Sequence, residues 1–382
     1  MAGTLGNLAN LYYRIQRYAE SEHMYNECLE IRRLMAENYP ESYESDLAIT
    51  LNNLASLYSD IQRYAESEEK YNECLEIRRR LAENYPEAYE SELAITLGGL
   101  ANLYYRIQRY AESEEKYNEC LEIYRRMAEK YPEAYESDLA STLNNLASLY
   151  SDIQRYAESE EKYNECLEIR RRMAEKSPEA YEYDSAGILH NLAILYYDNQ
   201  RYAESEKKYN ECLEILRCLV KKYPEAYELE LAITLNNLAS LYSDIQRYAE
   251  SEEKYNECLE IYSRLSEDNI DVYKTNVVNV LGNMSYNCVL AGNYIQAEQY
   301  ARDGLSLDVT QTMLYTNLAS SLLLQGRYQE AEQIYIDYKA ELSEDFISDI
   351  IKFEELNIIP EEHVAEVNKI KRMLQEYRIT VR

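Results

Sequence analysis

The 382-residue sequence contains no tryptophan, two phenylalanines and three histidines. The histidines, His23, His190 and His363, fall on three separate segments, so no histidine cluster is available for metal chemistry or for a nucleophile–base pair. The motifs G-x-S-x-G, H-E-x-x-H, the P-loop and the EF-hand loop are all missing, which argues against an enzyme and against a cofactor or metal site. No run of about 18 apolar residues occurs, so no segment reads as a membrane-spanning helix. No Val- or Ile-rich run alternates with period two, so no sheet is expected. Basic residues are in deficit: Lys and Arg total 40 against 70 Asp and Glu, a net charge of −30. That balance repels nucleic acid and anionic membranes. The first residues, MAGTLGNLANLYYRIQ, lack the organisation of a signal peptide and read as a helix. A cytoplasmic protein is expected, unless the chain is a fragment of a larger one.

What the sequence has in abundance is repetition. The heptapeptide YNECLEI occurs six times, placing Cys28, Cys74, Cys120, Cys166, Cys212 and Cys258 at steps of 46 residues. A leucine opens each unit with the same step, at Leu5, Leu51, Leu97, Leu143, Leu189 and Leu235. Leu281 keeps the step, and Tyr315 follows after only 34 residues. Self-similarity at such a period signals a stacked array, in which each unit buries its apolar face only against its neighbours.

Each unit reads as two helices. Leu47, Leu51, Leu54, Ala55, Tyr58 and Ile61 recur every three or four residues, as one face of a helix does. After a break at Gln62-Arg63, the pattern resumes through Tyr64, Ser67, Tyr71, Cys74, Leu75, Leu81 and Tyr85. Pro86 stops it, because the residue before a proline avoids the helical region. The forty-two tyrosines, Tyr58, Tyr64, Tyr71, Tyr85 and Tyr89 among them, fall mostly on these stripes or turns and are expected to be core.

The unit resembles the tetratricopeptide repeat, whose pattern is W-x2-L-G-x2-Y…A-x3-F…P. Leu51-x2-Leu54-Ala55-x2-Tyr58 and Ser67-x3-Tyr71 match it with conservative changes. The last two units match more closely, through Ala291-Gly292-Asn293-Tyr294 and Gln325-Gly326-Arg327-Tyr328, with Ala297 and Ala331 as the small helix-B residue. The 46-residue units look like the extended repeats of kinesin light chains and of many bacterial arrays. The resemblance covers roughly residues 2–342 and implies an all-α, right-handed superhelical solenoid. Residues 1–280 would form six extended repeats, 281–342 two shorter ones, and 343–382 a cap of two helices around Pro360.

The resemblance also places the cysteines. Each sits where such repeats carry a small helix-B residue, with a helix A between successive copies. Neighbouring sulfurs should then lie on the order of 20 Å apart, given packed helices about 8–10 Å apart. That is too far for a disulfide or a zinc site. A buried free thiol used as a small hydrophobe is the expectation, and it suits a reducing compartment.

In such repeats helix A lines the concave groove. Carried over, the groove positions are Asn7, Asn53, Asn145, Asn191, Asn237, Asn283 and Asn317, with Gly99 the only gap. A ladder of amides, each both donor and acceptor, could hold an extended peptide backbone. At the end of helix A, Arg14 and Arg106 beside Tyr13 and Tyr105 lie in the first half. Asp152, Asp198 and Asp244 lie in the second, and Asp60 breaks the trend. Tyr13, Tyr105 and Tyr197 are the candidate aromatic platform. Units two, four and six share NNLASLYSDIQ while units one and three share ANLYYRIQ, which is a two-unit super-period. Unit one lacks the counterpart of Tyr89–Leu93, leaving Leu5, Leu8, Ala9 and Tyr12 as an uncapped apolar edge open to self-association or fraying. The expected function is a non-catalytic scaffold that binds a peptide or partner domain in this groove. The alternative is the regulatory or sensor segment of a larger protein whose effector domain precedes this chain.

Overall fold

The computed structural model describes residues 1–268 and 270–381. Among them are seventeen α-helices, one short 3-10 turn and no strand, so the chain is all-α. In order they are α1 (Ala2–Arg14), α2 (Tyr18–Asn38), α3 (Pro40–Asp60), α4 (Tyr64–Asn84), α5 (Pro86–Arg106) and α6 (Tyr110–Lys130). Next come α7 (Pro132–Asp152), α8 (Tyr156–Lys176), α9 (Pro178–Asp198), α10 (Tyr202–Lys222), α11 (Pro224–Asp244) and α12 (Tyr248–Asp268). The last are α13 (Ile270–Leu290), α14 (Tyr294–Leu307), α15 (Thr312–Leu324), α16 (Tyr328–Glu355) and α17 (Val364–Val381). Contacts divide them into two compact units, Met1–Leu195 and Tyr196–Arg382. Helix α9 crosses that boundary.

Two joints make the repeat. Between helix A and helix B the chain turns on a Gln-Arg pair. In the second repeat Arg63 N–H donates to Tyr58 O at 2.8 Å and Gln62 N–H to Ser59 O at 3.2 Å. This is a Schellman closure, with Gln62 in the left-handed region at φ 62°. Gln16, Gln108, Gln154, Gln200 and Gln246 repeat it, while Gly292 and Gly326 fill the same position in the two short repeats. Between helix B and the next helix A a single extended residue suffices. Tyr85, at φ −139° and ψ 66°, precedes Pro86, which opens α5 as its first residue. The proline forbids a helical Tyr85 and needs no N–H partner at the helix start. Thus Pro86 starts a helix as well as stopping one. Tyr39, Tyr85, Tyr131 and Tyr223 at these joints are exposed, unlike the core role expected for this position.

Small residues let the helices approach. Ser67 Oγ donates to Ala55 O at 2.8 Å, a fully buried bond between α4 and α3. Cys74 is fully buried at the joint of three helices: its Sγ donates to Ala48 O on α3 at 3.2 Å and lies 3.4 Å from Thr96 Oγ1 on α5. All eight cysteines are free, and all but Cys218 are buried. Burial pushes the Cys120 thiol up to about 11 and those of Cys166 and Cys288 to about 12. On α1, Ala9 is fully buried, while Leu5, Leu8 and Tyr12 are half-buried and Leu11 and Ile15 exposed.

The C-terminal segment differs from the expected pair of capping helices. Helix α16 runs unbroken from Tyr328 to Glu355, so residues 343–355 extend helix B of the last repeat. Phe346 on this extension packs edge-to-face on Tyr335, with ring centroids 4.6 Å apart. Only α17 stands apart, burying Val367, Ile370 and Leu374 in the same core.

Two measurements check these assignments. Thiol titration of the native protein should find Cys218 reactive and the other seven slow until denaturant is added; fast native labelling of Cys74, Cys120 and Cys166 would contradict the packing. Gln154→Gly should stabilise by up to about 1 kcal/mol, because a non-glycine residue in the left-handed region is strained. Gly326→Ala should destabilise more than Gly292→Ala. Both need the left-handed conformation, but only at Gly326 would a Cβ meet a side chain, the His363 ring at 2.9 Å.

Candidate functional site

The helix-A positions expected to form the groove do not behave as one uniform ladder. In the first unit, Asn7 on α1 is exposed and Asn53 on α3 half-buried. Asn145 on α7 accepts from Asn144 Nδ2 at 3.4 Å. Asn191 on α9 donates to Asn144 Oδ1 of the preceding repeat at 3.2 Å. In the second unit, Asn237 meets the Tyr209 hydroxyl, and Asn283 donates to Asn236 Oδ1 at 3.1 Å. Asn317 is only 2 % exposed and donates to Gly282 O at 2.8 Å. That amide is committed to the fold and is not a free rung. The missing rung at Gly99 has a steric cause: a Cβ there would lie 2.8 Å from the Tyr71 ring, which fills the space.

The charges at the helix-A ends pair with one another. Tyr13 donates to the Asp60 carboxylate of the next repeat, and Arg106 Nη1 reaches the same carboxylate from the repeat beyond at 3.0 Å. Tyr105 donates likewise to Asp152, and in the second unit Tyr197 to Asp244. Asp60 therefore bridges three repeats, which explains why it broke the apparent change of sign. Burial, then the bond to the neighbouring carboxylate, raises the Tyr13, Tyr105 and Tyr197 phenols well above their ordinary range. Arg14 and Asp198 are exposed at the ends of α1 and α9. The acidic helix-B face is only partly solvated: Glu68 accepts from Tyr104 at 3.0 Å and from Arg109 at 2.8 Å.

In the first unit, helices A of three consecutive repeats open a concavity of about 610 Å³. Its floor is the Gly98-Gly99 doublet on α5, and its walls come from α3, α4, α6 and α7. Amides (Asn52, Asn102, Asn145), aromatic rings (Tyr71, Tyr105, Tyr117) and the carboxylates Asp60 and Asp138 face it, with Arg106 at the rim. Three residues singled out by sequence, Tyr105, Arg106 and Asn145, thus come together here. A second hollow of about 290 Å³ adjoins it through Ser141 and Asn145 and includes Asn191. Asp138, Tyr124 and Ser141 were not anticipated. The doublet Gly98-Gly99, departing from Asn-Asn in the copies on either side, was the available signal.

In the second unit a hollow of about 340 Å³ is lined by Asn283, Tyr286, Thr316, Asn317, Asp345 and Asp349. Burial, and then the charge of Asp345, raise the Asp349 carboxyl to about 7, opposed by Lys352 and a bond from Tyr286. Residues 345 and 349 lie beyond the repeats, where no periodicity marks them. Among the described residues no three His, Cys, Asp or Glu side chains converge as a metal centre requires, and no helix is long and apolar enough to cross a membrane.

Comparison with known proteins agrees with this architecture. A tetratricopeptide-repeat family model matches residues 1–80, 46–126, 92–172, 184–264 and 230–308, and a second matches 312–337. No curated protein matches the chain in sequence. Among solved structures, RapI in its apo form is 17 % identical, with a TM-score of 0.61 over 100 % of this chain and 98 % of that one. A Signal Transduction ATPase with Numerous Domains with a tetratricopeptide repeat sensor, from Pyrococcus horikoshii, is 16 % identical, with a TM-score of 0.59 over 91 % of this chain and 49 % of that one. BtubC (BKLC) from P. vanneervenii is 21 % identical, with a TM-score of 0.53 over 65 % of this chain and 92 % of that one. At these identities the likeness concerns the fold.

The raised Asp349 carboxyl has a measurable consequence. Its stabilising, protonated form is complete below about pH 4, the ordinary Asp range, and is lost as pH climbs through about 7. Asp349→Asn should therefore match the wild type near pH 4 and exceed it at pH 8, by roughly 1–3 kcal/mol in denaturant unfolding. Equal stability at both pH values would mean the carboxyl titrates normally.

Proposed function

Because the chain belongs to the tetratricopeptide-repeat family, we infer that it is a non-catalytic protein-interaction scaffold that takes an extended peptide along its helix-A face. The observation that carries this reading is the amide- and tyrosine-lined concavity of about 610 Å³ across α3, α5 and α7. An extended peptide carries one N–H and one C=O per residue, and amide side chains can serve both. Tyrosine edges offer rigid contact area at low entropic cost. The amide and hydroxyl groups lining the site are the donors and acceptors that main-chain recognition would use. The large negative charge disfavours nucleic acid as the occupant. Partners are accordingly proteins or peptides.

A second reading is that the array senses a ligand on behalf of an attached effector. It draws on the Pyrococcus neighbour, whose repeats are described as a sensor. Small-angle scattering separates the two: a sensor should change its overall dimensions when its ligand binds, a passive scaffold should not.

The direct test uses a partner segment identified by affinity capture and mapped to a peptide. Replacing Asn145 and Asn191 together by Ala should weaken binding by about 1–3 kcal/mol, since each hydrogen bond is worth about 0.5–1.5 kcal/mol. Thermal melts should show the fold intact. Reversing the exposed helix-B residues Glu69, Glu115 and Glu161 to Lys is the control and should leave binding nearly unchanged. If the control abolished binding and the amide changes did not, the peptide would lie on the helix-B face.

A further inference from the structure

The repeats carry an internal ion pair that the third, fifth and sixth of them lack. Four residues after each repeat cysteine stand Arg32, Arg78, Tyr124, Arg170, Leu216 and Tyr262. In the first unit, each arginine of this series meets a carboxylate on the following helix A. Arg32 lies 3.6 Å from Asp46, Arg78 3.5 Å from Glu92, and Arg170 3.1 Å from Asp184. In the third repeat the arginine is Tyr124, yet the carboxylate remains as Asp138. The fifth repeat likewise keeps a carboxylate, Glu230, opposite Leu216, whereas Tyr262 is matched by the uncharged Asn276.

Asp138 and Tyr124 both line the first-unit concavity. No side-chain hydrogen bond or ion pair to the Asp138 carboxylate is present among the described residues. The nearest cation acting on it, Arg170, is already committed: it donates to Ser137 Oγ at 3.0 Å and Ser141 Oγ at 2.9 Å and pairs with Asp184. Arg106, at the other rim, is held by Asp60 at 3.0 Å. Asp138 is exposed as a residue, and partial burial of its carboxyl raises it above its ordinary range. The Tyr124 ring beside it offers a flat partner for a planar cation.

Resting on the groove reading, we propose that the concavity receives an arginine side chain of the bound peptide, whose guanidinium takes the place beside Asp138 that a resident arginine fills in the repeats on either side. The carboxylate supplies the charge, and the tyrosines Tyr71, Tyr105 and Tyr117 enclose the aliphatic stem. A guanidinium suits the site better than an ammonium, because the pairs it mimics are made by arginine and the fork matches a carboxylate. The net charge of −30 draws such a cationic segment toward the chain.

The test uses capped seven-residue Gly/Ala peptides with Arg, Lys, citrulline or Glu at the centre, titrated by calorimetry into the full chain at low salt. The Arg peptide should bind at least tenfold more tightly than the citrulline peptide, with Lys between them and Glu undetectable. Asp138→Asn should reduce the Arg peptide to the citrulline level. Tyr124→Arg should rebuild the internal pair, raise the melting temperature and abolish Arg-peptide binding. An arginine is already accommodated at the same position in three other repeats, so this variant has a precedent for folding. Equal binding of Arg and citrulline peptides, or an Arg preference that survives both variants, overturns the proposal. If the amide variants weaken the captured partner while Asp138→Asn does not, the groove stands and the arginine pocket falls. If the Arg peptide binds through Asp138 while the amide variants leave the partner unaffected, the pocket stands and the main-chain ladder falls.

Discussion

The repeat depends on the closure of its A–B turn. In each extended repeat a tyrosine two residues before the end of helix A is covered by the arginine that caps helix B, as Tyr58 is by Arg63. Guanidinium-to-centroid distances are 4.3 Å at Arg63–Tyr58, Arg109–Tyr104, Arg155–Tyr150 and Arg247–Tyr242. Schellman closures commonly carry an apolar contact across the turn, and here a cation–π stack occupies that place. The same arginine pairs with a glutamate on its own helix B and with one on the preceding helix B, as Arg63 does with Glu66 and Glu22. One side chain thereby fixes the turn, the start of helix B and the spacing to the previous repeat. The left-handed glutamine between them is the strain this arrangement holds in place, and the short repeats relieve it with Gly292 and Gly326.

With turn and spacing fixed, the two-repeat super-period acquires a structural meaning. In the first unit, odd repeats present Tyr13 or Tyr105 and even ones Asp60 or Asp152, and the two kinds bond across the interface. The helix-B tyrosines follow the same alternation: Tyr25 and Tyr117 donate to Asn10 and Asn102, while Tyr71 and Tyr163 share hydroxyl bonds with Ser56 and Ser148. Two interface chemistries alternate along one stack. Duplication in pairs keeps each half beside the partner it fits.

The architecture was legible in the sequence because the repeat writes its constraints many times over. The period, the paired helices and the buried cysteines follow from apolar spacing and from Cys74 lying between three helices. The site was less legible, because spacing gives a residue's face but not its partner. Asn317 keeps the ladder register yet is buried against Gly282 O, because in the shorter last repeats a glycine carbonyl on α13 faces it. Asp198 and Asp152 have similar chemistry in sequence, but the residue 47 positions earlier is Tyr105 for Asp152 and Ser151 for Asp198. Asp349 and the extension of α16 lie where periodicity has ended.

In an array of near copies, identity between units reports packing, since every unit faces nearly the same neighbours. Information about a ligand resides where one copy departs without a compensating change in the copy beside it. Asn-Asn becoming Gly98-Gly99 is matched at Gly99 by the Tyr71 ring, which lies where a Cβ would meet it. Arginine becoming Tyr124 is not compensated, because Asp138 keeps its charge. Where the same exchange is neutral, as at Tyr262 and Asn276, both members changed. Glu230 is retained in the same way opposite Leu216, so the proposed arginine pocket rests on where Asp138 stands, on the wall of a tyrosine-lined hollow.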